Sequence, residues 1–97
     1  MSDIANIKYI LTALKGELAE RFQVSSLGLF GSVVRDDFNP VSSDIDIIVD
    51  FSRPIGIEFV DLADYLESKL SRPVDLVSKA GVKEKYFKEI ETEIIYV

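Results

Sequence analysis

Ninety-seven residues carry no cysteine, no histidine and a formal net charge of −6. That composition excludes a disulfide framework, a thiolate zinc site and the commonest catalytic base, leaving acid–base chemistry to carboxylates, lysine or tyrosine. The acidic balance also argues against stable nucleic-acid binding, which is built on neutralising phosphates. The length predicts one domain over residues 1–97, and 47% hydrophobic with 29% charged residues is the make-up of an ordinary globule. No apolar stretch is long enough to cross a bilayer, and Met1-Ser2-Asp3-Ile4 lacks the basic and apolar regions of a signal peptide. No membrane association is expected, and the expected compartment is the cytoplasm.

Ile7, Leu11, Leu14, Leu18 and Phe22 recur at helical spacing, so residues 3 to 22 read as an amphipathic packing helix. Residues 25 to 31 follow as a strand that breaks at Gly31-Ser32, and 32 to about 36 read as one or two helical turns. A strand that hands over to a helix N-terminus through glycine and a hydroxyl is a ready anion site. Arg35 lies three residues after Ser32, where on a helix both could share a phosphate. The alternative pairs Arg35 with Asp36, Asp37 or an active-site carboxylate as an ion pair. Asn39-Pro40 and two serines then form a loop that returns the chain toward Gly31.

Residues 44 to 51 read as a strand, with Ile45, Ile47, Val49 and Phe51 on one face and Asp44, Asp46, Ile48 and Asp50 on the other. Aspartate is depleted in strands, and like charges about 7 Å apart at Cα repel one another. A divalent cation would offset that cost. Mg²⁺ suits two short, rigid acids because it prefers hard oxygen ligands and completes its shell with water and phosphate. A solvated acidic edge strand is the alternative. Beyond Ser52-Arg53-Pro54, the stripe Ile55, Phe59, Leu62, Ala63, Leu66 and Leu70 marks a second helix, with Glu58, Asp61, Asp64 and Glu67 on its solvated face. Val74-Asp75-Leu76-Val77 reads as a short central strand, where Asp75 would be expensive unless paired or metal-bound. Residues 82 to 92 place Val82, Tyr86, Phe87 and Ile90 at helical spacing, beside lysines 79, 83, 85 and 88. The aromatic side chains read as core or subunit contact, and the Ile94-Ile95-Tyr96-Val97 ending as a sheet edge or interface.

Phe30-Gly31-Ser32, Arg35, Ser43-Asp44-Ile45-Asp46-Ile47 and the later Asp75 together resemble the minimal nucleotidyltransferases of the DNA polymerase β superfamily. The resemblance is closest to the MntA-like MNT antitoxins that accompany HEPN-domain ribonuclease toxins. It implies an α/β (α+β) fold, a small mixed sheet flanked by helices with the two acid-bearing strands adjacent. It further implies that Gly31, Ser32, Arg35 and Ser43 bind the nucleotide and that Asp44, Asp46 and Asp75 hold one or two Mg²⁺ ions. By the same resemblance, Asp75 would also serve as general base. ATP is the implied donor and a tyrosine of the HEPN toxin the implied acceptor, in a hetero-oligomer, with a homodimer as the form expected alone. Two departures stand out: eleven residues separate Ser32 from Asp44 where ten are usual, and Asp36 stands where a glycine often follows the arginine. A noncatalytic antitoxin that blocks its partner by occlusion is one alternative. Nucleotidyl transfer to a small molecule or an RNA end is another.

Overall fold

The computed structural model describes residues 3–35, 39 and 43–97. In chain order the elements are α1 (Asp3–Phe22), β1 (Val24–Phe30), β2 (Ile45–Phe51), α2 (Glu58–Leu70), β3 (Val74–Ser78), α3 (Glu84–Ile90) and β4 (Ile95–Tyr96). Single 3₁₀ turns follow β1 at Gly31–Val33 and β3 at Lys79–Gly81. The strands form one mixed sheet in the order β3-β2-β1-β4. β1 runs antiparallel to β2 and β4, while β2 and β3 are parallel and joined through α2.

The period-two pattern of β2 decides how the layers stack. Ile45, Ile47 and Val49 are wholly buried on one face, with Leu27 and Leu29 of β1. Against them pack Ile7, Leu11, Leu18 and Phe22 of α1 and Leu62, Leu66 and Leu70 of α2. The opposite face holds a smaller core of Phe30, Ile48 and Ile90, closed by Val77, Val82, Phe87 and Ile94. α3 therefore covers the same sheet face to which Asp46 belongs. Gly28 makes room for this second layer: a Cβ there would stand 2.6 Å from Cγ2 of Ile94.

Both long helices end on a residue in the left-handed region, Gln23 at φ 61° and Ser71 at φ 55°. That conformation stops a helix and turns the chain sharply into the next strand. α2 starts at Glu58, three residues later than the apolar stripe suggests, and Glu58 accepts a 2.8 Å hydrogen bond from the Gly56 amide ahead of it. Of the acids on its outer face, Glu67 is not merely solvated: its carboxylate accepts the Val74 N–H at 2.8 Å and pins the start of β3.

Three expectations change. β3 is an edge strand, not a central one, so Asp75 is exposed and does not bear the desolvation cost assigned to it. Strand order, which the apolar run around Asp75 does not encode, sets that outcome. The turn after Phe30 is a single 3₁₀ turn in which the Val34 and Arg35 amides both donate to the Gly31 carbonyl, at 3.0 and 3.2 Å. Of the aromatic side chains read as core or subunit contact, Tyr86 and Tyr96 are exposed, which removes only the core half of that expectation for these two: the seven-residue α3 buries Ile90 and half-buries Phe87 while turning Tyr86 outward. The expected bulge at Asn39-Pro40 and the Asp36 departure lie outside the described residues, Asn39 apart.

Candidate active site

Strand direction brings the sequence motifs together. Because β1 is antiparallel to β2, the C-terminal end of β1 lies beside the N-terminal end of β2; because β3 is parallel to β2, its N-terminal end lies there too. The register pairs Phe30 with Asp46 and Asp46 with Asp75. Residues paired across neighbouring strands, about 4.8 Å apart, point to the same side of the sheet. Gly31 and two carboxylates some thirty residues apart in the chain thus meet at one corner. The amide of Ile45, at the start of β2, donates to the Pro73 carbonyl at 3.0 Å and fixes the strand starts against each other.

Gly31 is where the corner is tightest. Its φ of +74° is left-handed, and a Cβ built on it would collide with the Asp46 carboxylate, lying 2.9 Å from its Cγ. Only glycine serves both demands, the backbone conformation and the space. Ser32 follows, half-exposed in the 3₁₀ turn, and Arg35 lies just beyond it.

The acids differ in environment. Asp46 is half-buried, and its carboxyl is pushed from the ordinary 3.8 up to about 6. Burial is the largest cause, followed by the charges of Asp75 and Asp44 and a hydrogen bond with Asp75; Arg35 pulls the other way. The neighbouring Asp75 and Asp44 carboxylates therefore make Asp46 hold its proton more tightly than a free aspartate does. Asp44, exposed just ahead of β2, contributes charge. Among the described residues no three acids are already gathered into a metal cage. The donor set still fits a hard divalent cation, since the charges of Asp75 and Asp44 oppose the ionisation of Asp46 and all three offer oxygen ligands of the kind Mg²⁺ prefers. Asp50, on the same strand face, is spent locally: its carboxylate accepts the Phe51 N–H at 3.0 Å.

Ser43 closes its own loop, accepting the Asn39 N–H on its hydroxyl at 3.0 Å and donating its amide to the Asn39 carbonyl at 2.8 Å. Arg35 forms an ion pair with Glu93, a partner that the sequence did not suggest, with Nη1 3.4 Å from Oε2. Glu93 is the residue that sequence reasoning missed. Its other oxygen accepts the Gly31 N–H at 3.1 Å across 62 residues of sequence. No motif marks it, and only the packing of α3 on Phe30 and Ile48 brings it here. A cleft of about 570 Å³ lies at the other end of β2 and β3, bounded by Asp50, Arg53, Pro54, Phe59 and Ser78. It holds neither the glycine turn nor an acid pair.

Residues 11–96 match the family model described as a nucleotidyltransferase domain. The chain belongs to that family. This nucleotidyltransferase is 44% identical over 98 residues to the protein adenylyltransferase MntA of Thermococcus cleftensis, covering 100% of this chain and 98% of that protein. It is also similar to a provisionally assigned minimal nucleotidyltransferase structure, with a TM-score of 0.75 and 26% identity over 98% of this chain and 95% of the other. A third similarity is to a solved complex of the tri-AMPylated Shewanella oneidensis HEPN toxin with MNT antitoxin. There the TM-score is 0.67 and the identity 25%, over 97% of this nucleotidyltransferase and 70% of the matched chain. Among the described residues, no helix is long and apolar enough to cross a membrane.

Proposed function

We propose that this chain, a single domain over residues 1–97, is a Mg²⁺-dependent protein adenylyltransferase of the cytoplasm. It moves AMP from ATP to a tyrosine hydroxyl of a HEPN-type toxin and acts as that toxin's antitoxin in a hetero-oligomer. The observation that carries the reading is the Asp46–Asp75 carboxylate pair, set side by side by strand register against the Gly31-Ser32 turn, in a chain so similar to a protein adenylyltransferase.

In this reading the Gly31 amide and the Ser32 hydroxyl hold nucleotide phosphates, and the Arg35 guanidinium adds a charge-assisted contact. Ser43 accepts from Asn39 and keeps its hydroxyl hydrogen for donation to the nucleotide. Asp44, Asp46 and Asp75 would hold the divalent cation, which when bound neutralises triphosphate charge. Asp75 stands exposed at the sheet edge, where an acceptor from a second chain can reach it. It draws the proton from the acceptor hydroxyl as that oxygen bonds to the α-phosphorus. The bond from the α-phosphorus to the bridging oxygen breaks, and pyrophosphate leaves.

The test is incubation of the purified chain with ATP labelled at the α-phosphate, Mg²⁺ and its HEPN partner. Label should appear on the partner and depend on both the chain and Mg²⁺. A partner neutralised stoichiometrically without acquiring label would replace this reading with occlusion.

A further inference from the structure

The geometry points to Glu93 as an internal stand-in for a nucleotide phosphate, a carboxylate that must swing away before the triphosphate can bind. The inference rests on the proposed function, because the donors that Glu93 engages are those assigned there to the nucleotide. One oxygen accepts the Gly31 N–H at 3.1 Å and the other lies 3.4 Å from Nη1 of Arg35. A backbone amide at a glycine turn together with a guanidinium is the donor combination that captures phosphate. Each N–H serves one strong acceptor well, so carboxylate and phosphate compete for the same place. With Glu93 still in position, an incoming triphosphate would also meet a corner already charged by Asp44, Asp46 and Asp75.

The surroundings allow the side chain to leave without unfolding anything. Glu93 lies between two anchored neighbours: Ile90 is buried in the smaller core and Ile94 packs against it. Its own amide donates to the Ile90 carbonyl at 2.9 Å. The backbone is therefore held, whereas the side chain, 25% exposed, can rotate into solvent about its χ angles. Displacement is thus a rotamer change, with β4 still paired to β1 through Gly28–Tyr96 and Leu29–Ile95. Nucleotide affinity is then the intrinsic affinity reduced by the fraction of molecules in which Glu93 is turned out.

Calorimetric titration of ATP and of adenosine, at fixed Mg²⁺, into the native chain, Glu93→Gln and Glu93→Asp tests this. Glutamine keeps the shape but faces the guanidinium with its own amide or gives up the Gly31 bond, and aspartate is a methylene too short to bridge both donors. Glu93→Gln should bind ATP about tenfold tighter and Glu93→Asp about threefold tighter, with adenosine affinity unchanged in both. Thermal melting shows which variants are folded, and either folded variant suffices. ATP binding that is unaltered or weaker in the folded variants, or adenosine tightening as much as ATP, would overturn the stand-in role and leave the proposed function intact. Absence of ATP binding by the native chain and the variants alike would overturn the nucleotide reading itself, and the inference with it.

Discussion

The Asp46→Asn variant is expected to lose AMP transfer by about 10³-fold and yet to unfold at a higher temperature than the native chain at pH 7. Both effects come from one placement. The carboxyl of Asp46 titrates at about 6, against 3.8 when free, because burial, Asp75 and Asp44 all oppose its charge. The folded chain thus binds a proton more readily than the unfolded one. The corresponding stabilisation is complete below about pH 4 and is lost as pH rises through about 6. At neutral pH Asp46 is ionised in a place that disfavours ionisation, at a cost of about 1 kcal/mol once solvent screening of a half-exposed group is allowed for. Asparagine carries no charge at any pH, and its amide can donate to the Asp75 carboxylate. Melting curves from pH 4 to 8 should show the native chain losing stability across that window relative to the variant. Parallel pH profiles would mean that Asp46 is not strained, and transfer surviving in the variant would remove it from the chemistry.

Gly31→Ala should cut transfer by about 100-fold and, unlike the change at Asp46, should also destabilise the fold. Alanine in the left-handed region costs about 1–2 kcal/mol, and its methyl group would occupy the space of the Asp46 carboxylate. Either the turn flattens, which withdraws the Gly31 amide and Ser32, or Asp46 is pushed off Asp75. A displacement of about 1 Å at a reacting centre is enough for a loss of about 100-fold. In a chain of this size, each kcal/mol lowers the melting temperature by about 4–8 °C. Single-turnover transfer and differential scanning fluorimetry read the two effects separately. Native activity in a folded alanine variant would show that the tight approach of Gly31 to Asp46 has no part in catalysis.

Much of this corner could be read from residue order because its parts are local. Ile7, Leu11, Leu18 and Phe22 identify α1, and Ile45, Ile47 and Val49 identify the buried face of β2, since each set repeats with the period of its element. That alternation also placed Asp44 and Asp46 on the other face before any contact was known. Asp75 was found for a reason that did not hold. An acid among apolar residues suggested a costly buried site, whereas the edge position of β3 leaves it exposed, and its importance comes from the register that pairs it with Asp46. Strand order and register are set by which faces cover which, and spacing along the chain does not record that. Glu93 was invisible for the same reason: three glutamates lie between residues 89 and 93, and only packing singles out the last. The relation of Ser32 to Arg35 depended on turn type, since a 3₁₀ turn and an α-turn differ by a single hydrogen-bond shift.

Transfer requires a cation and a nucleotide to meet where β1 ends and β2 and β3 begin. Anomalous diffraction from crystals grown with Mn²⁺ and a nonhydrolysable ATP analogue tests this directly. A peak is expected in contact with the carboxylates of Asp46 and Asp75, with the phosphates lying against Gly31 and Ser32. A metal and nucleotide bound instead in the cleft of Asp50, Arg53 and Ser78, with no metal at the Asp46–Asp75 pair, would contradict this placement.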